Sequence, residues 1–191
     1  MRLFIGIELD DQVRAAAAAA SAQLRSRLEE SDQGPSARWV PAENLHVTLW
    51  FIGEVGDSRA LEIDAALRQG FDARPFTMKV AGCGAFPLSG PVRVFWLGVR
   101  AGSENLSALH AQTAARLLPI GLKEERRAYS AHVTIARAKV TSRGSGPALR
   151  RLLAEESADC GACRVAAVTL FRSRVSSRGA TYDPLVRVPL Q

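Results

Sequence analysis

Residues 45–52 read LHVTLWFI, and residues 130–137 read SAHVTIAR. The chain has three histidines, and two of them share the setting His-Val-Thr-aliphatic. The offset between the copies is 132 − 46 = 86 for the histidines and 134 − 48 = 86 for the threonines. With seven threonines in 191 residues, a Thr two places after a given His arises by chance about 4% of the time. Two histidines out of three meeting that condition is a signal that has to be explained.

Both stretches read as strands, rich in β-branched and aliphatic residues. Side chains alternate faces along a strand. His46 and Thr48 therefore share one face, with Trp50 next in line, while Val47, Leu49 and Phe51 take the other. The second stretch repeats this with His132, Thr134 and Ala136 against Val133 and Ile135. Each strand would anchor through its apolar face and present an imidazole beside a hydroxyl. If the two polar faces meet across a cleft, one neutral imidazole can accept a proton and the other, protonated, can give one. The hydroxyls can donate to phosphoryl oxygens between them. Metal chemistry fits less well, because two histidines are too few and no His-Glu-x-x-His or Asp-rich loop accompanies them.

Working outward, residues 2–8, RLFIGIE, form a buried strand, and Asp10 or Asp11 caps a helix over DQVRAAAAAASAQLRSRLEE. Further helices are expected over residues 58–69, over residues 103–118 with Ser103 as the cap, and over ALRRLLAEES. Strands are expected over PFTMKVAGCGAFP, PVRVFWLGV, VAAVTLFRSRV and the terminal TYDPLVRVPL, and a loop over residues 141–147. The order is not a strict β-α alternation, which favours an α+β class with antiparallel or mixed sheets. No composition break divides the chain. Residues 1–191 are expected to form one domain of two pseudo-symmetric lobes, each supplying one His-x-Thr pair.

Composition is that of a globular protein, 47% hydrophobic and 23% charged. No run approaches the ~18 apolar residues of a membrane span. MRLFIGIELDD turns acidic too soon for a secretory signal, so a cytoplasmic protein without membrane attachment is expected. The net charge of +6 is compatible with an anionic partner, and arginine supplies nearly all of the excess. The three cysteines, at 83, 160 and 163, are an odd count that argues against a disulfide framework. Cys160-Gly-Ala-Cys163 lies in a segment that reads as strand, which is the wrong setting for a redox pair.

The paired motifs and their flanks resemble the two-histidine (2H) phosphoesterase superfamily. More closely, they resemble the RNA 2′,3′-cyclic phosphodiesterases, also called 2′-5′ RNA ligases. MRLFIGIELDD is similar to that family's opening strand, RWVPAENLHVTLWFIGEV to its first motif, RRAYSAHVTIARAK to its second, and VTLFRSRVSSRGATYDPL to its closing hairpin. The resemblance implies a bilobal fold whose sheets line a central cleft, with helices outside. It implies hydrolysis of RNA 2′,3′-cyclic phosphate ends to 2′-phosphate ends, and reverse 2′-5′ ligation at the same site. It implies His46 as general acid, His132 as general base, and Thr48, Thr134 and Arg137 as phosphate contacts. Neither metal nor cofactor is implied, and a monomer acting on RNA ends or cyclic nucleotides is expected. Strict alternation puts Arg137 on the face opposite His132, so its role rests on the resemblance alone. Ala131 stands where the family often has Pro, and Trp50 where it often has Lys. The competing reading is a non-catalytic RNA-end binder that keeps the fold.

Overall fold

The computed structural model describes the chain outside residues 31–35, 124–126, 139–145 and 177–178. The first strand, β1 (Arg2–Glu8), buries Leu3, Ile5 and Ile7 on one face. Each such side chain contributes about 1.5–3 kcal/mol on leaving water. Arg2, Phe4, Gly6 and Glu8 take the other face. Helix α1 (Asp11–Glu30) follows, and its first turn is capped by Asp10, whose Oδ1 accepts from the Val13 N–H at 2.8 Å. Val13, Ala17, Ser21, Leu24 and Leu28 are its buried stripe, and the small residues let it lie close against the sheet.

The remaining elements follow in order. They are β2 (Ala37–Trp39), a 3-10 turn (Ala42–Asn44), β3 (His46–Glu54), α2 (Asp57–Leu67), β4 (Phe76–Phe86), β5 (Val94–Ala101), α3 (Ser103–Leu117), β6 (His132–Ala138), α4 (Gly146–Glu155), β7 (Asp159–Val165), β8 (Ala167–Ser176) and β9 (Gly179–Pro189). The structure is α+β, as expected. All nine strands among the described residues join one curled antiparallel sheet of order β7-β4-β5-β6-β3-β1-β8-β9, with β2 on β6. Three local expectations change. Ser103 opens α3 but does not cap it. The cap position is Gly102, at φ 79°, where a left-handed backbone suits glycine. VAAVTLFRSRV is broken at Ala166 between β7 and β8. The predicted loop at 141–147 is already helical at Gly146 and Pro147, and its residues 141–145 lie outside the described ones.

The junction of β3 and β6 is the centre of the sheet. These strands meet at one register pair, Val47↔Val133, and those two valines are themselves 86 apart. Outward from this junction run β3, β1, β8 and β9 on one side and β6, β5, β4 and β7 on the other, with β2 added on β6. Val47 and Val133 are fully buried. Their neighbours His46, Thr48, His132 and Thr134 are half-buried on the opposite face.

Candidate active site

Both His-x-Thr strands break alternation just past the threonine. Across β1 and β3, Gly6 pairs with Thr48 but Ile5 pairs with Trp50, so Leu49 is an extra residue. Across β5 and β6, Trp96 pairs with Thr134 but Phe95 pairs with Ala136, so Ile135 is extra. These are β-bulges, each of which inserts one residue and reverses the phase of the strand beyond it. In β6 both Ile135 and Ala136 are buried, and Arg137 returns to the face of His132 and Thr134, exposed. Its positive charge acts on both His46 and His132. The bulge thus removes the conflict between periodicity and the expected role of Arg137. In β3 the same step overturns the expected placement of Trp50. Trp50 is 4% exposed and lies on the helix side, against His110 of α3 at 5.4 Å between ring centroids. Phe51 emerges on the cleft face instead, 43% exposed.

The two imidazoles are held alike. His46 Nδ1 lies 2.7 Å from the Asn44 carbonyl oxygen, and His132 Nδ1 lies 2.7 Å from the Ser130 carbonyl oxygen. A carbonyl only accepts, so each Nδ1 carries a hydrogen and each Nε2 is the nitrogen that exchanges protons. The carbonyl positions, 44 and 130, are again 86 apart. Asn44 is fixed by the 3-10 turn and by its buried amide, whose Nδ2 donates to the Ala180 carbonyl at 2.6 Å. Thr48 Oγ1 sits 2.9 Å from His46 Nε2 and donates to it while that nitrogen is neutral.

Aromatic rings enclose His46 more than His132. Phe4 lies 4.7 Å, Tyr182 5.3 Å and Phe171 6.0 Å from the His46 ring. His132 has Phe86 edge-on at 5.1 Å. Burial pushes the His46 pKa down to about 4, with His132 and Arg137 adding repulsion against the Asn44 contact that favours the imidazolium. His132 is lowered too, first by burial and then by Arg137, against the Ser130 contact. The tight fit around His46 explains Gly6. A Cβ there would lie 2.7 Å from the Val47 carbonyl oxygen and 3.3 Å from His46 Cδ2.

Asn44, Ser130, Gly6 and the aromatic enclosure had no direct sign in the sequence. The one available signal was positional, since Asn44 and Ser130 each stand two residues before a histidine. His110 is sandwiched between Trp50 and Tyr129, the latter at 4.4 Å, so Tyr129 packs behind the site and not in it. Cys160 and Cys163 are buried on β7 with their thiol pKa values raised by burial. Among the described residues, no group of three or more His, Cys, Asp or Glu could hold a metal ion, and no helix is long and apolar enough to cross a membrane.

A curled antiparallel sheet with two clamped His-x-Thr pairs astride its central junction defines the two-histidine phosphoesterase class. Within it, the chain belongs to the family described as LigT like phosphoesterase, whose profile matches residues 12–96 and again residues 97–182. It is 31% identical to an RNA 2′,3′-cyclic phosphodiesterase of Methanothermobacter thermautotrophicus, over 97% of this chain and 96% of that one. It is 30% identical to the protein of the same name from Archaeoglobus fulgidus, over 97% and 98%. A crystal structure of a Thermus thermophilus protein matches with a TM-score of 0.79 and 25% identity, covering 100% of this chain and 98% of that one. The fold also matches that of E. coli LigT complexed with 3′-AMP, with a TM-score of 0.75 and 23% identity over 99% and 97% of the two chains.

Proposed function

We propose that this protein hydrolyses RNA 2′,3′-cyclic phosphate ends to 2′-phosphate ends, with His132 as general base and His46 as general acid. The observation that carries the reading is the pair of matching Nδ1–H clamps, which leaves Nε2 of each ring as the proton-exchanging atom on the sheet face that also carries Arg137. In the forward step a water oxygen bonds to phosphorus opposite O3′. The water's proton passes to His132 Nε2, the P–O3′ bond breaks, and O3′ takes the proton of His46 Nε2. The products are a 2′-phosphate, a free 3′-hydroxyl, His132 as imidazolium and His46 neutral. Proton exchange with solvent resets both.

The assignment of His46 as acid and His132 as base follows the family resemblance, and the enclosed His46 meets it once a bound phosphate raises its pKa back toward neutrality. Thr48 and Thr134 donate to the non-bridging phosphoryl oxygens, and Arg137 balances their charge. No step calls on a metal. Run backward, with an RNA hydroxyl in place of water, the same groups form a 2′-5′ bond. The placement of one His-x-Thr strand on each side of Val47↔Val133, each continued by three further strands, supports a single domain of two pseudo-symmetric lobes, one motif from each.

The test uses purified protein with EDTA and an RNA oligonucleotide ending in a 2′,3′-cyclic phosphate. Wild type is expected to yield a 2′-phosphate terminus. His46→Ala and His132→Ala are each expected to lose about 10²–10⁴-fold in rate, the usual worth of a positioned acid or base. Turnover unaffected by either substitution, or absent in wild type, would sink the mechanism and leave an RNA-end binder.

A further inference from the structure

Arg38 stands beside Arg137 on the cleft face. Strand β2 pairs with β6 in the register Ala37↔Ala138, Arg38↔Arg137 and Trp39↔Ala136. Directly opposed residues of an antiparallel pair share a face. The next row fixes which face this is. Trp39 and Phe95 stack at 6.2 Å with nearly parallel rings, and both are register partners of the buried Ala136. The row Trp39–Ala136–Phe95 therefore lies on the core face, and the row Arg38–Arg137–Val94 on the cleft face. Arg38 and Arg137 are both exposed.

Two like charges directly opposed across a strand pair oppose pairing. Here no carboxylate offsets them, for neither guanidinium has an ion pair or hydrogen bond among the described residues, where most other arginines are bonded. Sequence does not force the arrangement, because β2 is a three-residue strand that could carry any polar residue at its exposed position. Paired free guanidiniums on one edge of a cleft suit a ligand with more than one phosphate. Arg137 lies on the strand and face of His132. Arg38 is one strand further out, about 5 Å at the usual strand spacing, on the scale of the step from one phosphate toward the next along a nucleic-acid strand.

We propose that Arg38 binds a backbone phosphate of the RNA strand next to the reacting one, so that the site favours oligonucleotide ends over cyclic mononucleotides. This rests on the hydrolytic reading above and adds a substrate preference to it. Two substrates separate the claims: an oligonucleotide ending in a 2′,3′-cyclic phosphate, and a nucleoside 2′,3′-cyclic phosphate that has no second phosphate.

Arg38→Gln is expected to raise KM for the oligonucleotide about tenfold, the scale of one charge-assisted contact, with kcat unchanged. Turnover of the mononucleotide stays within about twofold of wild type. Each phosphate neutralised on a single strand contributes about 0.7 to the slope of log affinity against log salt. Binding of an oligonucleotide ending in a 2′-phosphate should lose about that much slope in Arg38→Gln and keep it in Arg38→Lys. An equal loss on both substrates, or an unchanged KM and salt slope for the oligonucleotide, overturns the proposal. If wild type opens neither substrate, the hydrolytic reading fails, and the salt dependence of binding still decides whether Arg38 holds a phosphate.

Discussion

His46 should titrate near pH 4 in the free protein and near neutrality when an anion fills the cleft. Its imidazolium is disfavoured first by burial among Phe4, Phe171 and Tyr182, then by His132 and Arg137. At pH 7 a group of pKa about 4 is protonated roughly once in a thousand molecules, too rarely for a general acid. A single negative charge about 4 Å away, at an effective dielectric near 20, is worth about 4 kcal/mol. That is about three pH units, enough to bring His46 to its working range only when substrate is bound. The acid would thus be armed by the phosphate it serves.

The assay is NMR titration of the three imidazoles, assigned by single His→Gln substitutions, without and with saturating nucleoside 2′-phosphate. Its kinetic counterpart follows from the same shifts. Both free-enzyme values lie below 6.5, and under the proposed roles the active form has His46 charged and His132 neutral. kcat/KM should then fall as pH rises above a value under 6.5, while kcat, which reports the complex, keeps its optimum at higher pH. A His46 that titrates near 6.5 in the free protein refutes the reasoning. So does one that stays near 4 with ligand bound.

Three further outcomes are expected of the same structure. Stability should fall as pH drops from 6.5 to 4, because the unfolded chain binds a proton at His46 that the folded chain refuses; the full effect is about 3 kcal/mol, and denaturant melts of His46→Gln should show a flatter pH dependence. Gly6→Ala should cut turnover by at least about tenfold while the protein stays folded, since its Cβ, 2.7 Å from the Val47 carbonyl oxygen, must move the strand that carries His46; steady-state kinetics beside a thermal melt reads both. Tyr129→Phe should be neutral or stabilising by about 1 kcal/mol in a melt, because the buried Tyr129 hydroxyl has no hydrogen-bond partner among the described residues.

The sequence carried the two motifs, the α+β class and four helices, because those rest on local period and on residue types that recur. It did not carry the phase of either motif strand beyond its threonine. A bulge is decided between strands, by which neighbour's N–H and C=O groups find partners. The Val40 N–H, just past β2, donates to the carbonyl of Ile135, the extra residue of β6, at 2.8 Å, and nothing in HVTIAR announces that bond. For the same reason alternation assigned Trp50 to the cleft and Arg137 to the core side, and both assignments reverse together. The aromatic enclosure of His46 was equally hidden, since Phe4, Phe171 and Tyr182 come from β1, β8 and β9 and converge only once the sheet is assembled.

The differences between the two sides of the junction matter more to the chemistry than the repetition. The bulges lie at matching places, after Thr48 and after Thr134, so each returns one later residue to the cleft: Phe51 on one strand and Arg137, 86 residues on, on the other. Across the histidines the partners differ as well, Glu8 facing His46 and Gly98 facing His132. The Glu8 carboxylate is held by Arg187, with Oε2 2.7 Å from Nε, and by the Thr169 hydroxyl. Hydrogen bonding to Arg187 keeps its pKa below the usual range. A repeated frame would give two imidazoles in equal surroundings. Instead one histidine is enclosed by aromatic rings, its pKa pushed down to about 4 by burial, and the other is more open, lowered by burial and by the arginine its strand carries. Under the proposed mechanism the matching His-x-Thr frames supply the geometry, and the departures between them at a few positions supply the division of labour.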